Sequence, residues 1–86
     1  SFALKSAYPN PFNPVTTIAY DVPIPSNVKV IVYDLLGRQV TELVNNYVEG
    51  GSYNVSWDAS EFSSGVYLVR MSADDFISSQ KVMLVK

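Results

Sequence analysis

Apolar residues in this chain recur at every second position, in short runs, and never settle into a sustained helical period. In Thr16–Val22 the residues Ile18, Tyr20 and Val22 share one side, and in Ser52–Asp58 the same holds for Tyr53, Val55 and Trp57. A period of two is that of a pleated strand, whose successive side chains point to opposite faces. The run Val28–Asp34 is the clearest strand, rich in β-branched residues. Turn signals separate the runs: Pro23-Ile24-Pro25-Ser26-Asn27, Asp34-Leu35-Leu36-Gly37-Arg38, Glu49-Gly50-Gly51, the polar stretch Ala59–Ser64, and Asp74-Asp75. Asp34 suits the first position of a type I turn, and Gly37 can take the left-handed conformation that follows it. Leu36, Val40, Leu43 and Val44 have some helical spacing, but Gly37 and the pair Asn45-Asn46 oppose a helix. A strand from Gln39 to Val44, broken by the asparagines, is expected instead. The last strand is expected from about Ser79 to Val85.

Six to seven short antiparallel strands of this kind predict an all-β fold, an immunoglobulin-like β-sandwich. The chain has no cysteine, so no disulfide holds it and the core must suffice. Its 86 residues make one domain, with sandwich strands over about 16–85. A chain this short buries only roughly 60% of the surface it would expose unfolded, which allows one core and no deep cleft. Trp57, Tyr53 and Val55 are expected to face that core, as large rings do in a small sandwich. In the strand from Val28, the face carrying Val28, Val30 and Val32 is expected inside. Ile31 and Tyr33 then form a partly exposed apolar stripe, the kind of surface that marks a contact site or lies under a loop. The last strand is apolar on both faces, with Val82 and Leu84 on one and Met83 and Val85 on the other. That fits a strand buried on both sides or one that pairs with a partner. Lys81 and Lys86 bracket it, and lysine at an edge guards against unwanted pairing.

Ahead of the first long strand stands Tyr8-Pro9-Asn10-Pro11-Phe12-Asn13-Pro14. Prolines at 9, 11 and 14 forbid a helix, and each fixes its own φ. The preceding residues Tyr8, Asn10 and Asn13 are pushed to extended geometry. This segment reads as a stiff entry loop with little entropy left to lose. It serves either as a structural lid over one end of the sandwich or as a recognition element.

The residues leave little room for catalysis or cofactors. With no histidine and no cysteine, imidazole and thiol catalysis are excluded, as are cysteine-ligated metals. The carboxylate pairs Asp58 with Glu61 and Asp74 with Asp75 would need a sugar-holding groove to act on glycosides, and the chain is too small to build one. Their plainer readings are a strand-end residue bonded to its own loop and a solvated turn. The oxygen ligands near Asp58 and Glu61 are too sparse for a recognisable calcium loop. Asn54-Val55-Ser56 fits the glycosylation pattern but falls inside a strand. The net charge of −2, without any basic run, leaves no nucleic-acid footprint and no polybasic membrane patch. The longest apolar run is too short for a membrane span. Ser1-Phe2-Ala3-Leu4-Lys5 has no leader pattern, so for an exported domain the signal is expected either upstream in a longer parent or in the domain itself.

The order of motifs carries a resemblance. Leu4, then Tyr8–Pro14, then Thr17-Ile18-Ala19-Tyr20 is similar to the opening of the type A C-terminal sorting domain of the type IX (Por) secretion system. The likeness continues through Val32-Tyr33-Asp34-Leu35-Leu36-Gly37-Arg38-Gln39-Val40, Gly51-Ser52-Tyr53 with Trp57-Asp58, Ser64-Gly65-Val66-Tyr67, and Lys81–Lys86. It covers nearly the whole chain, and the chain ends where the family usually ends, as a domain at a natural C-terminus would. The family also looks related to the immunoglobulin-like domain of the flagellar hook-capping protein.

The resemblance implies a non-catalytic secretion and sorting signal without cofactor. Its partners would be an attached N-terminal cargo domain, the outer-membrane type IX translocon and, in many systems, a surface sortase. The cargo would pass through the periplasm and end at the cell surface or in the medium; no nucleic acid and no membrane insertion are implied, and a monomer is expected. Two surfaces are expected to be read: the loop Tyr8, Pro9, Asn10, Pro11, Phe12, Asn13, Pro14, and the last strand through Lys81, Val82, Leu84 and Lys86, by strand addition to a partner sheet. Gly37 and Arg38 also match the family motif; their plainer roles are the turn itself and a local ion pair with Asp34 or Glu42. An accessory module binding carbohydrate or a neighbouring catalytic domain would instead show a row of coplanar exposed rings. A structural assembly subunit would sit within a self-assembling chain.

Overall fold

The computed structural model describes residues 1–86 as seven strands. They are β1 (Ala3–Leu4), β2 (Val15–Val22), β3 (Ser26–Tyr33), β4 (Gln39–Val48), β5 (Gly51–Asp58), β6 (Gly65–Ala73) and β7 (Phe76–Leu84). A three-stranded sheet in the order β1-β2-β5 faces a four-stranded sheet in the order β4-β3-β6-β7, and every strand pairing is antiparallel. This is the expected antiparallel β-sandwich, and of the six to seven strands anticipated it has seven.

The alternation in the sequence is the alternation of burial. Thr16, Ile18, Tyr20 and Val22 of β2 are buried, as are Val28, Val30 and Val32 of β3, Tyr67, Val69, Met71 and Ala73 of β6, and Val82 and Leu84 of β7. Ile31 and Tyr33 lie half-exposed on the outer face, as the valine periodicity requires. One end of the core is aromatic: Trp57 packs against Phe12, Phe62 and Tyr67 at centroid distances of 5.4, 5.7 and 5.4 Å. The Tyr67 hydroxyl donates 2.6 Å back to the Ser63 carbonyl, a tyrosine corner that fixes the start of β6. At the other end Phe2 stacks on Phe76.

Two boundaries differ from the sequence reading. β4 does not break at Asn45 and Asn46 but runs through to Val48. Register shifts against β3, between Val30 and Ile31 and between Val32 and Tyr33, take up the irregular pattern that resembled helical spacing. Asn45 and Asn46 are exposed there, so the edge tolerates them. β7 begins at Phe76 and ends at Leu84, because the tight turn at Asp74, with φ of 53°, lets pairing with β6 start at once. Nor is β7 buried on both sides: Val82 and Leu84 face the core, while Met83 and Val85 are 43% and 48% exposed.

Candidate recognition face

The proline segment does not stand free. Tyr8 pairs with Thr17 through two backbone bonds of 3.1 and 3.0 Å, and the buried Thr16 hydroxyl donates 2.7 Å to the Pro9 carbonyl. The chain then crosses to the other sheet and lines the outer edge of β7. Prolines cannot donate, so the edge is satisfied by the residues between them. The Asn10 side-chain amide donates to the Lys81 carbonyl (3.1 Å) and accepts from the Met83 N–H (3.0 Å), standing in for a peptide group. Phe12 supplies the rest from its backbone: its N–H donates to the Met83 carbonyl and its carbonyl accepts from the Val85 N–H, both at 2.9 Å. The Phe12 ring, 2% exposed, plugs the aromatic end of the core. Pro14 takes the Ala59 N–H at 2.8 Å. The three X-Pro bonds of this segment are cis. Nearer the N-terminus the Gln80 side chain clips the same segment, accepting from the Ala7 N–H (2.7 Å) and donating to the Lys5 carbonyl.

The β3–β4 turn is built around one carboxylate. Asp34 accepts from the N–H groups of Leu36 (2.9 Å) and Arg38 (3.0 Å) and from Arg38 Nε (2.8 Å). Hydrogen bonding by the Arg38 N–H, with the guanidinium and the Leu36 N–H adding to it, holds the Asp34 carboxyl below the usual range. Gly37 has φ of +83°, so the turn requires the left-handed conformation there. With its carboxylate accepting three bonds, the turn holds Leu35 and Leu36 out, 67% and 79% exposed.

Strand register then assembles a surface. On the outer face of the four-stranded sheet Tyr33 lies opposite Leu68, Leu68 opposite Lys81, and Val66 opposite Met83. Two adjoining depressions occupy this end of the face. One, of about 360 Å³, is lined by Tyr33, Asp34, Leu35, Gly37, Leu68, Arg70 and Lys81. The other, of about 540 Å³, is lined by Asn10, Pro11, Leu35, Val66, Lys81, Val82 and Met83. They share Leu35 and Lys81 and form one shallow apolar groove.

The entry loop, the Gly37 turn and the last strand, three separate motifs in the sequence, thus meet on one face through Asn10, Pro11, Gly37 and Lys81. Other candidate residues lie elsewhere. Phe12 and Leu84 are buried in the core, and Val82 points its side chain there too, so none of the three presents a side chain on the surface. Tyr8 is 80% exposed but pairs with β2 of the other sheet, and Pro9 and Asn13 are exposed outside the groove. Pro14 is half-buried beneath Ala59. Arg38 pairs with Asp34 and not with Glu42. Lys86 is tied to the β5–β6 loop, its Nζ donating 2.7 Å to the Ser60 carbonyl. Strand addition along Lys81–Val85 meets an edge that Asn10 and Phe12 already occupy. The residues missed from sequence are Leu35, Val66, Leu68, Arg70 and Met83. The available signal was the lack of alternation in Val66-Tyr67-Leu68-Val69, which leaves apolar side chains on the outer face as well as the inner one.

The opposite outer face is different. Thr17, Ala19 and Asp21 of β2 and Ser52, Asn54, Ser56 and Asp58 of β5 make it polar. Asp21 accepts 2.8 Å from the Ser52 hydroxyl and pairs with Lys5; Asp58 accepts 3.0 Å from the Ser60 N–H, and both carboxyls are lowered by those bonds. The exposed tyrosines, Tyr8 and Tyr47, stand by different sheets and form no platform for a sugar. No three acidic side chains come together as a metal site would need.

A family model described as a secretion system C-terminal sorting domain matches residues 6–86. No curated protein matches the chain.

Proposed function

This chain belongs to the family of secretion-system C-terminal sorting domains, those of the Por or type IX system, and from that premise we propose that the groove on the four-stranded sheet is the surface read by the outer-membrane translocon. The domain is a non-catalytic sorting signal, attached to cargo that the secretion machinery delivers outside the cell. In our reading the cargo lies N-terminal to it and is presented from the periplasm. The domain acts as a monomer, and a surface sortase acts after export.

The observation that carries this reading is convergence: loop, turn and last strand meet at Leu35 and Lys81. Each has a structural duty, yet none of those duties requires apolar side chains facing outward at Leu35, Leu68 and Met83. A rigid groove also loses little entropy on binding, and this one is framed by an Asp34-locked turn and a loop bonded to β7.

The test is site-specific photocrosslinking in a bacterium with a working type IX system. A reporter is fused ahead of residues 1–86, and a photoreactive residue replaces Leu68, Met83 or, on the opposite face, Asn54. The reading predicts adducts with a translocon component from Leu68 and Met83 and none from Asn54. Equal capture from Asn54, or capture from Asn54 alone, would overturn it.

A further inference from the structure

The groove is apolar at its floor and cationic at its rim, in a chain whose net charge is negative. The outward residues of the four-stranded sheet include Lys29, Arg70 and Lys81, against one carboxylate, Glu42. Arg70 and Lys81 both line the groove, both are exposed, and neither forms an ion pair; the two ion pairs of the domain are Lys5 with Asp21 and Arg38 with Asp34. Asp34, the one acid at the groove, already accepts three hydrogen bonds from its own turn. Of the other acids, Glu42 shares the outer face but stands on β4 opposite Ile31, outside the groove lining. Asp21 and Asp58 belong to the opposite sheet, Glu49 and Glu61 to other loops, and Asp74 and Asp75 to the turn at the far end of β6.

We infer that the groove accepts a protein segment carrying carboxylates beside a large apolar side chain, with Leu35, Leu68 and Tyr33 receiving the apolar group and Arg70 and Lys81 the acids. The inference rests on the reading of the groove as the recognition face. Two exposed cations without acids of their own keep most of their hydration until a partner arrives, so they favour encounter with an acidic surface and disfavour a basic one. The apolar floor supplies area that a purely ionic site lacks. The segment belongs to the secretion machinery, not to the membrane, because the groove is a shaped depression rather than a flat basic patch.

The experiment measures binding of the domain, residues 1–86, to detergent-solubilised type IX translocon at low and high salt. Arg70→Glu with Lys81→Glu is expected to weaken binding at least tenfold at about 0.05 M salt, with a much smaller deficit at about 1 M, where screening acts over roughly 3 Å. Lys81→Arg is expected to bind as the unmodified domain does. Leu68→Thr is expected to weaken binding at both salt concentrations. Unchanged binding by the charge-reversed domain, with loss by Leu68→Thr, overturns the acidic partner and leaves the groove standing. Unchanged binding by both variants, or no binding by the unmodified domain, overturns the groove itself. Capture by protein-free vesicles of outer-membrane lipid and lipopolysaccharide, with the same dependence on charge, assigns the cations to a lipid and overturns the inference. Thermal melts confirm that each variant is folded.

Discussion

Phe12 sits in the middle of the proline segment, yet its ring belongs to the core, and removing it separates the loop's structural duty from its surface. The ring is 2% exposed and lies 5.4 Å from Trp57. Truncating such a residue costs about 3–5 kcal/mol, from lost transfer energy and the cavity left behind. A domain of 86 residues has a total stability of roughly 4–13 kcal/mol. Phe12→Ala therefore removes a large share of it and loosens the bonds to Met83 and Val85. Tyr8→Ala, at a residue 80% exposed in the same loop, is expected to cost under about 0.5 kcal/mol. Urea unfolding followed by far-UV circular dichroism separates the two. With a slope near 1 kcal/mol/M, about that of a small domain, the Phe12→Ala midpoint falls by roughly 3–5 M while that of Tyr8→Ala barely moves. A cost below about 1 kcal/mol for Phe12→Ala would refute the view that the loop is anchored through the core.

Gly37→Ala meets no atom within 4 Å, so its cost is conformational alone: about 1 kcal/mol by thermal melt, and less for Gly37→Asn. Asn10→Ala loses two hydrogen bonds to β7, and the Met83 amide, protected in the unmodified domain, exchanges its hydrogen faster. The carboxyls of Asp21, Asp34 and Asp58 are lowered in the folded state by the bonds they accept. Their stabilisation is therefore complete above the unfolded value near 3.9 and is lost as the pH falls through the lower folded values. The melting temperature is expected to hold steady from about pH 7 to 5 and fall below about pH 4. Asp34→Asn lowers it at neutral pH and flattens that fall.

The sandwich was legible because one face of each long strand had to be apolar, and that face shows as a period of two in Ile18, Tyr20, Val22 and in Val28, Val30, Val32. β4 was read less well. It is an edge strand with two irregularities against β3, so its apolar residues follow neither simple period. The three motifs of the groove were legible, but their meeting was not. That depends on the lateral register Tyr33–Leu68–Lys81, which couples residues up to 48 positions apart and leaves no local trace. The loop's hold on β7 was hidden for a related reason. Asn10 acts there as a substitute peptide group, and nothing in the sequence distinguishes that use from an ordinary turn asparagine.

The most direct test of recognition through the groove compares export of a periplasmic reporter carrying the unmodified domain with that of two folded variants. One changes the groove (Leu35→Ser, Leu68→Thr, Met83→Thr), and the other changes the opposite face (Thr17→Ser, Asn54→Thr, Ser56→Thr). The groove variant is expected to stay in the periplasm while the opposite-face variant reaches the surface or medium as the unmodified fusion does, and only in cells with the translocon. Normal export of the groove variant, with its melting temperature close to that of the unmodified domain, would contradict recognition through the groove.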